Sequence, residues 1–415
     1  MAESRGMVIV GAGHTGGRAA HALRDAGWNG PITLIGAERY PPYERPPLSK
    51  GMLTGEKTFA DAALYESDSW RRQGINHLAG TTVREIRRAS REVILADGRV
   101  IPYERLLLAT GAAPRRLVVP GADLSGVLFM REVGDSETLR ARLGEGRRLV
   151  VIGGGFIGLE VASNAAALGT QVTVVEAGPR LMTRTVPARI EEHMRARHKA
   201  AGVDLRLARQ VSAILGDGSV SAVRLDDGSE IAADAVLVSI GVAPRVELAE
   251  AAGLAVDNGI VVDRTLRTED PHIFAAGDVC SFAHDLFGGR IRLESWKNAE
   301  EQGPIAARNM LGGSEAADAV PWMWSDQYEL TIQIAGLSDR AATTVERRVE
   351  PGSIILFHLS DDGRIVAASG VGPNGTIGRA VRLGQMMVER SLYPDPRLLA
   401  DPTVNLKTLM REQAA

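Results

Sequence analysis

Two short glycine-rich segments carry the clearest chemistry in the sequence. Gly11-Ala12-Gly13-His14-Thr15-Gly16 follows an apolar run at residues 7–10 and opens a helix-like segment reaching Ala26, before a second apolar run at 32–35. A dinucleotide pyrophosphate needs this spacing. The first glycine permits a tight turn, the second lets backbone approach the anion, and the third packs helix on strand. The helix N-terminus adds free N–H groups and a favourable dipole. Glu38 closes the second run 22 residues beyond Gly16, where a carboxylate can accept hydrogen bonds from an adenosine ribose. The pattern returns as Gly153-Gly154-Gly155-Phe156-Ile157-Gly158, with Glu176 ending the next run 18 residues after Gly158. An acid there favours NADH, because it binds a free 2′-hydroxyl and repels a 2′-phosphate; nearby Arg180 works against that preference. The candidate contacts are Gly11, Ala12, Gly13, Thr15, Gly16 and Glu38 at one turn, and Gly153, Gly155, Phe156, Ile157, Gly158 and Glu176 at the other.

Each turn needs a strand before it and a helix after it, and the periodicity supplies both. Residues 7–10, 14–26 and 32–35 read as one β-α-β unit, and 149–152, 156–168 and 172–175 as another about 140 residues on. Apolar runs at 105–110 and 235–241 each lead into Gly-x-x-Pro, the first through Thr110 and Gly111, the pattern of two strands joining one domain to an inserted one. A later segment, Ile273-Phe274-Ala275-Ala276-Gly277-Asp278, runs a short strand into Gly277 and Asp278, where the aspartate can bond a ribityl hydroxyl. From residue 321 the texture changes to β-branched and aromatic runs at 330–334, 343–349, 354–359 and 365–368, then a helical stretch at 377–389. The predicted fold is therefore α/β: two Rossmann-like dinucleotide-binding domains and a small α+β C-terminal domain. Its expected boundaries are 1–112 with 242–320, then 113–241, then 321–415.

Composition excludes several alternatives. A chain of 415 residues holds two to three domains, and 45% hydrophobic with 24% charged residues is ordinary for a globular protein, against wholesale disorder. The net charge of −3 argues against a nucleic-acid partner. The one cysteine, Cys280, closes no intramolecular disulfide and excludes Cys-x-x-Cys redox centres and four-Cys clusters. It reads as a packing residue, and the eight histidines show no ligand spacing, so no metal site is expected. The first residues carry neither a charged leader nor an apolar core, and the apolar stretch at 149–168 is broken by glycines and Glu160. No membrane association is expected, and a cytoplasmic location is.

The three motifs together resemble the FAD-dependent pyridine nucleotide reductases of the glutathione-reductase fold. Three further segments narrow the branch: Pro42-Tyr43-Glu44-Arg45-Pro46-Pro47-Leu48-Ser49-Lys50, Leu293-Glu294-Ser295-Trp296-Lys297-Asn298-Ala299, and Pro321-Trp322-Met323-Trp324-Ser325-Asp326-Gln327-Tyr328. They are similar to the ferredoxin reductases of bacterial P450 and aromatic-ring dioxygenase systems, the putidaredoxin reductase family. The resemblance implies FAD at the first turn and NADH at the second, a hydride passing from NADH to FAD, and single electrons leaving to an acidic two-iron ferredoxin. It implies Arg45 and Lys50 beside FAD, Lys50 near the reactive ring, and Val83 and Arg131 toward the adenine and diphosphate. Thr110, Gly111, Gly277 and Asp278 complete that contact set. Glu160 is implied near the nicotinamide and paired with Lys50, and Trp296 as an aromatic wall against the flavin. Trp322 and Trp324 fall in the same place or simply pack. Arg292, Lys297, Arg308, Arg340 and Lys407 are candidate docking cations, and a monomer or weak homodimer is expected. The segment 371–378 is glycine-rich where relatives are often more basic, which leaves the partner's identity open. Rivals on the same scaffold are an NADH oxidase, a peroxidase or a rubredoxin reductase; from another class, a non-catalytic FAD and NADH sensor.

Overall fold

The computed structural model describes residues 5–350 and 352–412. The first four residues, part of the stretch read above for a leader, lie outside that range. Two compact units emerge: one of the chain up to Arg45 with Phe59–Ala113 and Ala243–Ala319, the other of Pro46–Thr58, Pro114–Val242 and the chain from Val320.

The first unit is built on a seven-stranded sheet. Four strands run in the order Ile75–Leu78, Ile32–Ile35, Gly6–Val10, Val100–Leu108, all parallel, and Ile273–Ala275 joins Val100–Leu108 in parallel. Val8 lies opposite Thr33 on one side and Leu106 on the other, so Val10 and Ile35 end level and both turn-forming ends open at one edge. The central stretches Gly6–Val10, 106–108 and Ile273–Ala275 are buried at every residue because both faces are covered. Helix His14–Asp25 packs on helix Trp296–Met310, and the approach is close because a Cβ on Gly303 would meet Thr15 O at 2.6 Å.

The second unit repeats the plan. Its five-stranded parallel sheet has the order Asp204–Leu207, Gln171–Glu176, Arg148–Ile152, Ala235–Val238, Val127–Leu128. An antiparallel sheet of Val211–Asp217, Ser219–Leu225 and Glu230–Ala232 packs on it, burying Val150, Ile152 and Val175 with Ile214 and Val223. The C-terminal part is a five-stranded antiparallel sheet, Trp322–Gln327, Leu330–Gly336, Ile365–Pro373, Ser353–Leu359 and Thr343–Glu350, with helix Gly378–Glu389 against it.

One segment falls elsewhere than the expected boundaries put it: residues 46–58 pack within the second unit, because Ser49, Lys50 and Leu48 bond residues of its helices. The expected C-terminal α+β fold is present as its own antiparallel sheet and helix, and it belongs to the same compact unit as the second dinucleotide-binding fold.

Candidate functional site

In the first unit, Gly11 has φ +115°, and a Cβ there would lie 2.0 Å from Ala109 O, so the turn after the strand admits only glycine. A Cβ on Gly16 would meet Gly11 O at 1.9 Å, which lets helix His14–Asp25 start hard against that strand. Gly13 differs: a Cβ there would meet only Arg45 Nη2, at 3.9 Å. Its backbone faces open space, a cradle in which a pyrophosphate fits. Ala12 packs under Gly36, and Thr15 packs on Gly277, whose own φ is +81°. Thr15 thus braces the Gly277 and Asp278 segment against the first turn.

The acid of this half is held by side chains. Glu38 accepts from Tyr43 Oη at 2.5 Å and from Arg45 Nη2 at 2.7 Å, and the Arg45 guanidinium lies 5.2 Å from the Tyr43 ring centroid. Burial works against the Arg45 charge, but Tyr43, Glu38 and Asp278 outweigh it and raise its pKa. Arg45, Glu38 and Asp278 therefore form one electrostatic cluster. Val83 is buried at the head of strand Val83–Arg87, and the loop before it is tied to Glu38 by Gly80 N–H donating to the Glu38 carbonyl at 2.9 Å. Thr110 Oγ1 donates to the Arg245 carbonyl at 2.8 Å, and Gly111 takes φ +67° and accepts from Arg245 N–H.

Asp278 sits on the turn Gly277–Val279, where Gly277 N–H donates to Gln302 Oε1 at 2.8 Å. Gln302 Nε2 is buried with no hydrogen-bond partner, an orphaned donor beside the Gly277 and Asp278 turn that a cofactor oxygen would satisfy. Cys280 is fully buried on the same Gln302 oxygen, and burial pushes its thiol up to about 12, which suits a packing residue. Trp296 opens helix Trp296–Met310, capped by Ser295 Oγ, and stands edge-on to His14 at 5.5 Å. His14 Nε2 lies 2.7 Å from Glu300, which also holds Arg18 at 2.7 Å. Reading the sequence left out His14, Glu300 and Gln302. His14 lay inside a quoted motif, but Glu300 and Gln302 carried no local signal.

The second unit holds the second turn in matching form. Gly153 has φ +106° with a virtual Cβ 2.3 Å from Ser239 O, Gly158 lies against Gly153 O at 2.4 Å, and Gly155 meets nothing within 4 Å. Glu176 accepts from Gly154 N–H and Gly178 N–H, both at 2.7 Å. Arg180 gives its guanidinium to the carbonyls of Val186 and Thr183. Phe156 and Ile157 begin helix Phe156–Ala167, and Ile157 is an exposed apolar side chain. Arg131 lies before helix Val133–Arg140, where its N–H donates to Asp135.

The same helix carries Glu160, 5% exposed. Its Oε1 accepts from Lys50 Nζ at 2.7 Å and Ser325 Oγ at 2.7 Å, and its Oε2 from Ser49 Oγ at 2.5 Å. A buried carboxylate persists only with such partners. Asn164 and Ser136 pin the turn carrying Lys50 by donating to the carbonyls of Ser49 and Leu48, both at 2.7 Å. Lys50 Nζ lies 5.8 Å from the Trp324 ring centroid, and Trp322 stacks on Trp324 at 5.2 Å. Strand alternation explains the split: Trp322 and Trp324 share one face of Trp322–Gln327, and the buried Ser325 and Gln327 the other. Among the described residues, no group of three or more His, Cys, Asp or Glu is placed to hold a metal ion, and no helix is long and apolar enough to cross a membrane.

Comparison with known proteins places the chain. Residues 5–303 match the model of the pyridine nucleotide-disulphide oxidoreductases, and residues 322–410 that of the reductase C-terminal domain. A ferredoxin–NAD(+) reductase component of an anthranilate 1,2-dioxygenase system from Burkholderia cepacia is 44% identical over 412 residues, covering 97% of this chain and 98% of its own. A rubredoxin–NAD(+) reductase from Pseudomonas putida is 42% identical over 332 residues, covering 80% and 86%. The crystal structure of the covalent putidaredoxin reductase–putidaredoxin complex superposes with TM-score 0.95 at 37% identity, covering 99% of each chain. Two glycine turns of one geometry, the Gly277 and Asp278 segment and these matches across nearly the whole length lead to one conclusion: the chain belongs to the pyridine nucleotide-disulphide oxidoreductase family.

Proposed function

We propose that the chain is a FAD-containing NADH:ferredoxin reductase that supplies a P450 or ring-hydroxylating oxygenase. The observation that carries this reading is the pair of glycine turns, each leaving its second glycine open and each followed by a strand with a carboxylate at its end, Glu176, or three residues past it, Glu38. Gly11, Ala12, Gly13, Gly16 and Glu38 would hold FAD, with Thr15, Arg45, Val83, Thr110, Gly111, Arg131, Gly277 and Asp278 as supporting contacts and Trp296 against the ring. Gly153, Gly155, Phe156, Ile157, Gly158 and Glu176 would hold NADH. When bound, FAD accepts two electrons with a hydride and returns them singly, chemistry that side chains lack.

The chain's own residues set the terms. Lys50, fixed by Glu160, offers a cation for the charge that accompanies reduction. Glu176 discriminates against a 2′-phosphate, and the Arg180 guanidinium, engaged on two carbonyls, is not free to welcome one. The single cysteine excludes the cysteine-pair chemistry of disulfide reductases and suits a reducing cytoplasm. The ferredoxin reductases among the relatives favour a ferredoxin, which the sequence resemblance makes one of the two-iron type, and the rubredoxin reductase among them makes rubredoxin the second candidate acceptor. Stopped-flow mixing of the flavin-loaded protein with NADH or NADPH, then with a two-iron ferredoxin or a rubredoxin, tests this. Fast bleaching by NADH and faster electron delivery to the ferredoxin than to rubredoxin or oxygen is expected. Delivery only to oxygen would make the protein an oxidase or sensor.

A further inference from the structure

The Glu160 carboxylate is the end of a longer buried chain of hydrogen bonds within the second unit. Ser325 Oγ reaches Glu160 Oε1 at 2.7 Å, Gln327 Nε2 reaches Ser325 Oγ at 3.0 Å, His198 Nε2 lies 2.8 Å from Gln327 Oε1, and Tyr328 Oη lies 3.1 Å from His198 Nδ1. The direction of every link follows from the carboxylate. Glu160, paired with Lys50, only accepts, so the Ser325 hydroxyl proton must point to it. Ser325 Oγ then offers lone pairs to Gln327, which must present its amide N–H there and turn its oxygen to His198. His198 must therefore carry its proton on Nε2 and accept from Tyr328 on Nδ1. Four residues thus donate in one direction, along strand end, helix and β-strand, to the Glu160 carboxylate. Two surroundings keep the sense fixed. Burial disfavours a charged His198 and pushes the Tyr328 phenol up to about 12, so it remains a donor. Arg197 covers the Tyr328 ring at 4.0 Å and is itself anchored to Glu329.

We propose that Tyr328, His198, Gln327 and Ser325 form a one-way hydrogen-bond chain that orients the Glu160 carboxylate toward Lys50, with Ser325 as its positioning residue. An amide link carries no proton onward, so the chain acts by orientation and aligned dipoles. The inference rests on the reductase reading for its kinetic consequence, but its geometry stands apart from it.

The test uses the full-length holoenzyme labelled with 15N-histidine. At neutral pH the His198 ring, assigned by loss of its signals in His198→Gln, is expected as the neutral Nε2–H tautomer. A neutral Nδ1–H tautomer or an imidazolium would overturn the chain. In Ser325→Ala, flavin reduction by NADH is expected to slow about tenfold with NADH affinity unchanged, since one hydrogen bond to a charged group is lost. Ser325→Thr, which keeps the hydroxyl, is expected to restore the rate. Equal rates in all three proteins, or equal slowing in both variants, would remove Ser325 from the positioning role. If NADH does not reduce the unaltered protein, the reductase reading fails instead, and the tautomer still decides the chain.

Discussion

The two glycine turns share a backbone and differ in how they hold their acids. Gly11 N–H donates to the Ile35 carbonyl and Gly153 N–H to the Val175 carbonyl, both at 2.8 Å, and the next strand closes each turn in the same way, Ala109 on Val10 and Ser239 on Ile152. Beyond that the copies part. Glu38 is locked by Tyr43 and Arg45 in a cluster that includes Asp278, whereas Glu176 is held by two loop N–H groups, Gly154 and Gly178. In the free protein the first acid is caged by side chains, whereas the second is held by loop amides that a ribose would displace, a difference in keeping with the proposed FAD at the first turn and NADH at the second.

The strongest way to break this comparison is to spoil one turn at a time. Gly11→Ala places a methyl 2.0 Å from Ala109 O at φ +115°, and Gly153→Ala places one 2.3 Å from Ser239 O at φ +106°. Left-handed backbone alone disfavours alanine by about 1–2 kcal/mol, and the clash adds to it. Gly11→Ala is expected to yield colourless or poorly soluble protein. Gly153→Ala is expected to stay yellow while losing reduction by NADH. Loss of colour in Gly153→Ala, read from the flavin-to-protein absorbance ratio, would mean the two turns had been assigned in the wrong order.

Acid is expected to weaken both halves alike. In the first unit burial pulls His21 down to about 4, with Asp25 opposing, and in the second burial pulls His358 down to about 4. Both are folded as neutral rings, below the unfolded value of about 6.5. The stabilisation is complete above that pH and is lost as pH falls toward 4, at up to about 3 kcal/mol per histidine. Urea midpoints should drop steadily over that window, and proteolysis should open both units together. A midpoint constant down to pH 4 would contradict the buried neutral rings.

Much of this was legible in the sequence, for a physical reason. A β-α-β unit announces itself through local periods and glycines within about 30 residues, and both turns with Glu38 and Glu176 were readable that way. The helix Trp296–Met310 was not, since its buried face is built largely from small and polar residues such as Asn298, Gln302, Gly303 and Asn309, and neither were the hairpins Val83–Leu95 and Val211–Leu225, whose strands mix charged and small residues with apolar ones. The Glu160 cluster was half visible. Lys50 was expected beside it by resemblance, but Ser49 and Ser325 are 111 and 165 residues away, and ordinary serines carry no mark of a partner that distant.

A finer test of the comparison reverses the second acid. Glu176→Arg removes the acceptor of Gly154 and Gly178 and supplies a cation where a 2′-phosphate would lie. The apparent KM for NADH should rise about tenfold, as expected from losing hydrogen bonds to a charged group, and that for NADPH should fall. Flavin content should be unchanged. A drop in flavin content would show that Glu176 serves the resident cofactor, and the contrast with Glu38 would collapse.

The smallest effect concerns the acceptor rather than either turn. Of the five cations proposed for docking, Arg292 pairs with Glu294 at 2.6 Å, Lys297 with Glu301, and Arg308 with Glu315 at 2.6 Å, while Arg340 and Lys407 are exposed. The Lys297 and Arg308 pairs lie at the surface, where such pairs are worth about 0–1 kcal/mol each and open readily to a competing carboxylate. Arg292 is only 10% exposed and also donates to the Asp278 carbonyl, so it is committed inside its unit and leaves the docking set. An acidic ferredoxin should therefore be steered by a modest field, and its reduction should slow about threefold from low to high ionic strength as screening shortens that field's reach. Flavin reduction by NADH, whose proposed contacts at residues 153–158 are uncharged, should barely respond. Steady-state rates for the two half-reactions across a salt series measure both at once. If the NADH step fell as steeply as the ferredoxin step, salt would be acting on the protein's own ion pairs, and docking by charge would lose its support.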